Sequence, residues 1–166
     1  MPKRDEVIVL VGPMGVGKST VGKKLARTLG VPFTDTDVMI SKAHGNIDQI
    51  FAEQGEDKFR EYELEALQSA CAEPGVVATG GGAVLSHTAQ AILDSVTVVY
   101  LATDGRHIAS RLSHGNRPLL KNGMEDWKRI YDMRKSIYES VADVEINTSA
   151  QSLSATIAEI RSRLGV

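Results

Sequence analysis

The chain has 166 residues, a formal net charge of −2 and a hydrophobic share of 42%, which is room and composition for one soluble domain with a substantial core. The charge balance gives no reason to expect a nucleic-acid partner, and no apolar stretch approaches the roughly 20 residues of a membrane helix. The only cysteine, Cys71, excludes an intrachain disulfide, and residues 1–6 lack the apolar segment of a signal peptide, so the expected location is a reducing cytoplasm.

The first element is a strand over residues 6–11. Val7 to Val11 form a continuous apolar run, as in a strand buried on both faces of a parallel sheet. Gly12-Pro13-Met14-Gly15-Val16-Gly17-Lys18-Ser19 follows and fits the spacing G-x-x-x-x-G-K-[ST], the phosphate-binding P-loop. A helix over residues 18–29 comes next, with Val21, Leu25 and Leu29 at helical spacing. Strand, glycine loop and helix are the context the motif needs. The glycines let backbone amides converge on phosphate oxygens at a helix N-terminus that favours negative charge. Lys18 is placed to reach the terminal phosphates, and Ser19 to offer its hydroxyl to a magnesium ion. The chain is therefore expected to bind a nucleoside triphosphate.

A second strand, residues 32–35, ends on Asp35-Thr36-Asp37. Two carboxylates there suit a magnesium ion, which prefers oxygen ligands, and an incoming hydroxyl that must be oriented for attack. Capping of the next helix by Asp35 or Asp37 is the plainer and less favoured reading, and it does not exclude the others. Helices are expected over residues 37–44, 46–54 and 57–72; the last carries Arg60 among Glu61, Glu63 and Glu65, where a surface salt bridge is the plain reading. Cys71 falls on the apolar side of that helix and is expected to be buried and inert.

The third strand, residues 75–79, has no acid for a metal and runs into Gly80-Gly81-Gly82. Those glycines are either a flexible turn or bare backbone against which a ligand can press. A helix over 88–93 and the β-branched strand 96–101 follow, then a helix over 105–112 bearing Arg111, which suits either an adenine ring or solvent. Residues 115–120 read as a polar loop holding Arg117; loops of this kind close over phosphate-transfer sites, while a solvent-exposed arginine is the default reading of that residue taken alone. In the helix over 125–141, Arg134 lies inside the apolar stripe of Ile130, Ile137 and Val141. An inward-facing cation needs an anionic partner, either a structural carboxylate or that of a bound substrate. A last strand, 143–147, and a helix over 152–164 complete the chain. His44, His87, His107 and His114 share no metal-ligand spacing. Strand–helix alternation means an α/β fold with helices on both faces of a parallel sheet, and ligands then gather at the carboxyl ends of the strands.

Taken together, the residues resemble shikimate kinase over most of the chain. The resemblance rests on the phosphate loop through Thr20, on Phe33-Thr34-Asp35-Thr36-Asp37, on Ile47-Asp48-Gln49-Ile50-Phe51 with Gly55-Glu56 and Phe59-Arg60, on the triple glycine, on Arg117-Pro118-Leu119-Leu120, and on Arg134 with Tyr138. The P-loop is common to many families; this combination, in this order, is far more specific. Two departures are visible. Ser136 stands where the family's Arg-x-Pro-x-Tyr has proline, and Ala78 where a serine is frequent.

The resemblance implies one three-layer domain over residues 1–166, a five-stranded parallel sheet of order 2-3-1-4-5, of the nucleoside-monophosphate-kinase type. It implies transfer of the ATP γ-phosphoryl group to the 3-hydroxyl of shikimate, with Mg2+, by a monomer without nucleic-acid or membrane partners. Gly12, Gly15, Val16, Gly17, Lys18, Ser19, Thr20, Arg111 and Arg117 would hold the nucleotide, and Ser19 and Asp35 the metal. Asp37, Arg60, Gly81, Gly82 and Arg134 would hold shikimate, in a region of about residues 36–62 and the strand ends, under a lid of about residues 112–124. Asp37, Lys18 and Arg117 would act in catalysis. The rivals are another small-metabolite kinase, such as a gluconate kinase, and a module that holds ATP without turnover; retention of Lys18 and Asp37 speaks against the second.

Overall fold

Successive side chains of a strand point to opposite sides, and along the first strand both sides are apolar. Val7, Val9 and Val11 pack into one core cluster, Ile8 and Leu10 into another, and all five are buried. Such a strand is stable only between two helical layers. The computed structural model describes residues 4–112 and 119–166. It contains the strands β1 (Arg4–Val11), β2 (Phe33–Asp35), β3 (Gly75–Ala78), β4 (Val96–Ala102) and β5 (Val144–Asn147). They form one parallel sheet in the order β2-β3-β1-β4-β5, as the family resemblance implies. In register, Val9 pairs with Val77 on one side and Val98 on the other, and Asp35 pairs with Ala78.

The helices are α1 (Lys18–Leu29), α2 (Thr36–His44), α3 (Ile47–Gln54), α4 (Glu56–Cys71), α5 (His87–Asp94), α6 (Ile108–Leu112), α7 (Met124–Val141) and α8 (Leu153–Leu164). Val21 and Leu25 of α1 with Ile157 and Ile160 of α8 cover the face bearing Ile8 and Leu10. Leu67, Ala70 and Cys71 of α4, Leu93 of α5 and Trp127, Tyr131 and Tyr138 of α7 cover the opposite face. Ile40, Ile50, Phe59 and Ala66 make a smaller cluster that joins α2, α3 and α4 to each other.

Local chemistry accounts for the element ends. Asp35, Asn46, Ser86 and Ser152 each cap a helix by accepting from backbone amides of its first turn. The helix expected over 105–112 is shorter, because residues before Ile108 take another hydrogen-bonding pattern. Thr103 Oγ1 accepts from the Gly105 amide and Asp104 Oδ1 from the Arg106 amide, turns that compete with helix. Ser136 leaves α7 unbroken from Met124 to Val141. Thr79 lies beyond the end of β3 and ties back to β1, its hydroxyl donating to the Leu10 carbonyl at 2.8 Å. The carboxyl ends of β1, β2 and β3 thus meet at one edge.

Leu10 is fully buried in the cluster beneath α1. Truncation to alanine removes its contacts and leaves a void, so Leu10→Ala should lower the unfolding free energy by about 2–5 kcal/mol. Urea unfolding should show a lower midpoint at an unchanged slope.

Candidate active site

The phosphate loop begins where β1 ends. Gly12 has φ +148°, and a Cβ there would sit 2.6 Å from the Leu101 carbonyl oxygen of β4, so only glycine lets the chain turn at this point. Lys18, buried at the start of α1, donates from Nζ to the carbonyls of Gly12 and Pro13 at 2.6 and 2.9 Å. Gly17 caps α1 in a left-handed conformation without a side-chain hydrogen bond to the first turn. Helix amides at such an end are suited to phosphate oxygens. Arg111, exposed on α6, donates from Nη1 to the Gly15 carbonyl at 2.8 Å, which sets it at the rim of the loop. Val16 is buried beneath the loop and Thr20 is exposed on α1.

The capping foreseen for the aspartates after β2 falls to Asp35. Its Oδ1 accepts from the amides of Asp37 and Val38 at 2.9 and 3.3 Å, which caps α2. Its Oδ2 accepts from the Ser19 hydroxyl at 2.5 Å, which brings the two expected metal donors together. Asp37, in the first turn of α2, faces a cavity instead.

That cavity has a volume of about 470 Å³. Asp37, Arg60, Gly81, Gly82 and Arg134, the five residues expected to hold shikimate, all line it, with Met14 of the phosphate loop at its border. Asp37 Oδ1 and Glu63 Oε2 both lie about 3 Å from the point where a Gly80 side chain would begin. Arg134 Nη1 is 3.4 Å from the corresponding point on Gly81, and a Cβ on Gly82 would overlap Arg60 Nη1. The three glycines are therefore bare because two carboxylates and two guanidinium groups crowd against them. Arg117 lies outside the described residues, as does part of the expected lid.

Sequence reasoning missed Glu63. It reads there as one acid in a charged run, yet it is buried and accepts from Arg60 Nη1 at 2.8 Å. Burial pushes its carboxyl above the ordinary range, while Arg60 opposes the rise. Burial works against the Arg60 charge as well, but Glu63 and Glu56 hold its pKa above the usual value. The available signal was position: Glu63 falls four residues after Phe59 and four before Leu67, on the inward stripe of α4. Asp48, Phe51 and Phe59, from stretches that carry the family resemblance, also line the cavity, and so does Asn46, which carried no signal of its own.

The sheet order and the loop after its central strand are those of P-loop kinases, and the cavity is of a size for a small molecule. The sequence profile of shikimate kinase matches residues 14–165. A shikimate kinase of Streptomyces coelicolor is 44% identical over 149 residues, 87% of either chain. The solved structure of shikimate kinase from Acinetobacter baumannii, in complex with shikimate, superposes with a TM-score of 0.91 at 34% identity, covering 98% of this chain and 95% of the other. A gluconokinase from Sinorhizobium meliloti shares the fold, with a TM-score of 0.61 at 19% identity over 99% of this chain and 94% of its own. The chain belongs to the shikimate kinase family. Its activity is ATP-dependent phosphoryl transfer to the 3-hydroxyl of shikimate.

Tyr138 braces the cavity from α7. Its hydroxyl donates to the Gly81 carbonyl, and burial raises its pKa to about 12, against the pull of Arg134. A phenol whose pKa is raised in the folded state contributes its full stabilisation below the unfolded value of about 10 and loses it as pH rises through the folded value. Tyr138→Phe should therefore cost about 1–3 kcal/mol by stranding a buried carbonyl, raise the shikimate KM, and leave the shape of the pH–rate profile below pH ~10 unchanged. Thermal unfolding and initial rates across pH check all three.

Proposed function

We propose that shikimate occupies the cavity at the ends of β2 and β3, with its carboxylate on Arg60 and Arg134 and its hydroxyls towards Asp37. What carries this reading is the convergence of two guanidinium groups, from α4 and α7, on bare glycines that lie beside Asp37 and Met14. Paired arginines match a planar carboxylate in forked contacts, and their burial is tolerable when the charge is met. The Arg60–Glu63 bond holds one of them in place without a substrate. Phe59 beneath the Arg60 guanidinium, 5.3 Å from its ring centre, gives a further support.

The nucleotide lies, on this reading, along the phosphate loop, with Lys18 and the amides after Gly15, Val16 and Gly17 on its phosphates. Ser19 and Asp35 are hard oxygen donors already in contact with each other, which fits Mg2+. When bound there, the ion would neutralise charge on the β- and γ-phosphates. Asp37 accepts a hydrogen bond from the attacking 3-hydroxyl and takes or orients its proton. Arg117, from a lid over about residues 112–124, meets the moving phosphoryl charge. Little else is needed, because phosphoryl transfer depends chiefly on positioning and charge. A monomer at work in the cytoplasm belongs to the same reading and rests on the family resemblance.

A coupled ADP-release assay with shikimate, gluconate and nucleoside monophosphates side by side tests the acceptor. Turnover should occur with shikimate; a preference for gluconate or a nucleotide would overturn the assignment. Asp37→Asn should lower kcat by about 10²–10⁴-fold with ATP binding retained. Arg134→Ala should raise the shikimate KM by about 10–100-fold, the worth of a charged hydrogen bond, in protein whose circular dichroism shows it folded. Wild-type affinity in that variant would return Arg134 to a structural role.

A further inference from the structure

Four successive carbonyls of the phosphate loop each meet a side-chain donor. Lys18 takes those of Gly12 and Pro13, Arg111 that of Gly15, and between them the indole Nε1–H of Trp127 donates to the Met14 carbonyl at 2.7 Å. Trp127 stands on α7, seven residues before Arg134 and eleven before Tyr138, a spacing that puts all three on one side of the helix. All three are buried. Arg134 lines the acceptor cavity and Tyr138 donates to the Gly81 carbonyl. One helix thus touches the donor loop, the acceptor cavity and the glycine run.

The indole has little freedom. A Cβ on Gly105 would lie 3.0 Å from its Cζ3, and its ring centre is 5.2 Å from that of Tyr131. The peptide group it holds is planar, so a fixed Met14 carbonyl also fixes the direction of the Gly15 N–H on the other side of that plane. Met14 itself borders the acceptor cavity, with its Cγ 3.4 Å from the point where a Gly81 side chain would begin.

We propose that Trp127 is a positioning residue for phosphoryl transfer: its indole N–H holds the Met14–Gly15 peptide and thereby sets the phosphate loop at a fixed distance from Arg134 and the acceptor. The proposal rests on the shikimate reading of the cavity. Transfer in line is steeply sensitive to the separation of donor and acceptor, and a misplacement of about 1 Å costs about a hundredfold in rate. Loss of the N–H alone frees a peptide without removing any group from either binding site. The rate of the chemical step should fall while both ligands still bind.

Trp127 is the only tryptophan in the chain, so biosynthetic incorporation of β-(3-benzothienyl)alanine changes that position alone. The analogue keeps the shape of the ring and carries sulfur in place of N–H; Trp127→Phe serves as a second variant. Wild-type protein is assayed first, and its failure to phosphorylate shikimate would sink the functional reading itself. With that reading standing, kcat of the analogue protein should fall about tenfold or more, with dissociation constants for ADP and for shikimate within about twofold of wild type. A kcat within about twofold of wild type overturns the proposal. So does a rate loss that is matched by lost affinity for either ligand, or one that disappears when rates are referred to the folded fraction, since the ring then serves binding or packing alone.

Discussion

The end of β1 is the point on which the active edge depends. A strand buried on both faces has to leave the sheet abruptly, and it does so against the Leu101 carbonyl of β4, where a side chain on Gly12 would not fit. That turn brings the loop carbonyls round to Lys18 and Arg111 and leaves the first amides of α1 without a side-chain cap. Anion binding at this place follows from backbone geometry, before any substrate-specific group is considered.

The cavity beside the loop follows a different constraint, the cost of burying charge. Arg134 and Glu63 are each less than a tenth exposed, and Arg60 is mostly covered. Isolated, any of them would be strongly unfavourable; grouped, with Glu63 bonded to Arg60 and Arg134 near both Glu63 and Tyr138, they are tolerated. The glycines at 80–82 make this grouping possible, because their missing side chains leave space for the charged groups. The same bare backbone that admits the charges also leaves room for a ligand of the size of the cavity. Stability and recognition therefore draw on one arrangement, and α7 joins it to the phosphate loop through Trp127 and Tyr138.

Much of this was legible along the chain. The unbroken apolar run of β1 announced a buried parallel strand, and the glycine spacing after it announced the phosphate loop. Arg134 stood out because a cation inside an apolar helical stripe is anomalous. Glu63 obeys the same rule on α4 but was hidden by Glu61 and Glu65, whose charges make the whole segment read as solvated. Trp127 carried no signal either, since an aromatic residue on an inward stripe is ordinary core until its N–H is seen to reach a loop more than a hundred residues away. The helix expected over 105–112 begins only at Ile108 because of turn chemistry at Thr103 and Asp104, where side chains compete with helix for backbone amides.

Local order in the chain, then, determined the alternation of strands and helices, the phosphate loop, and the residue types standing at each strand end. Those depend on periodicity and on short-range spacing, which a sequence displays directly. Only the tertiary structure decided which charges share a cavity, that Asp35 both caps α2 and meets Ser19, and that one helix reaches both the phosphate loop and the cavity wall. Such contacts join residues far apart in the chain. Their geometry is set by how buried faces pack, and no local pattern encodes it.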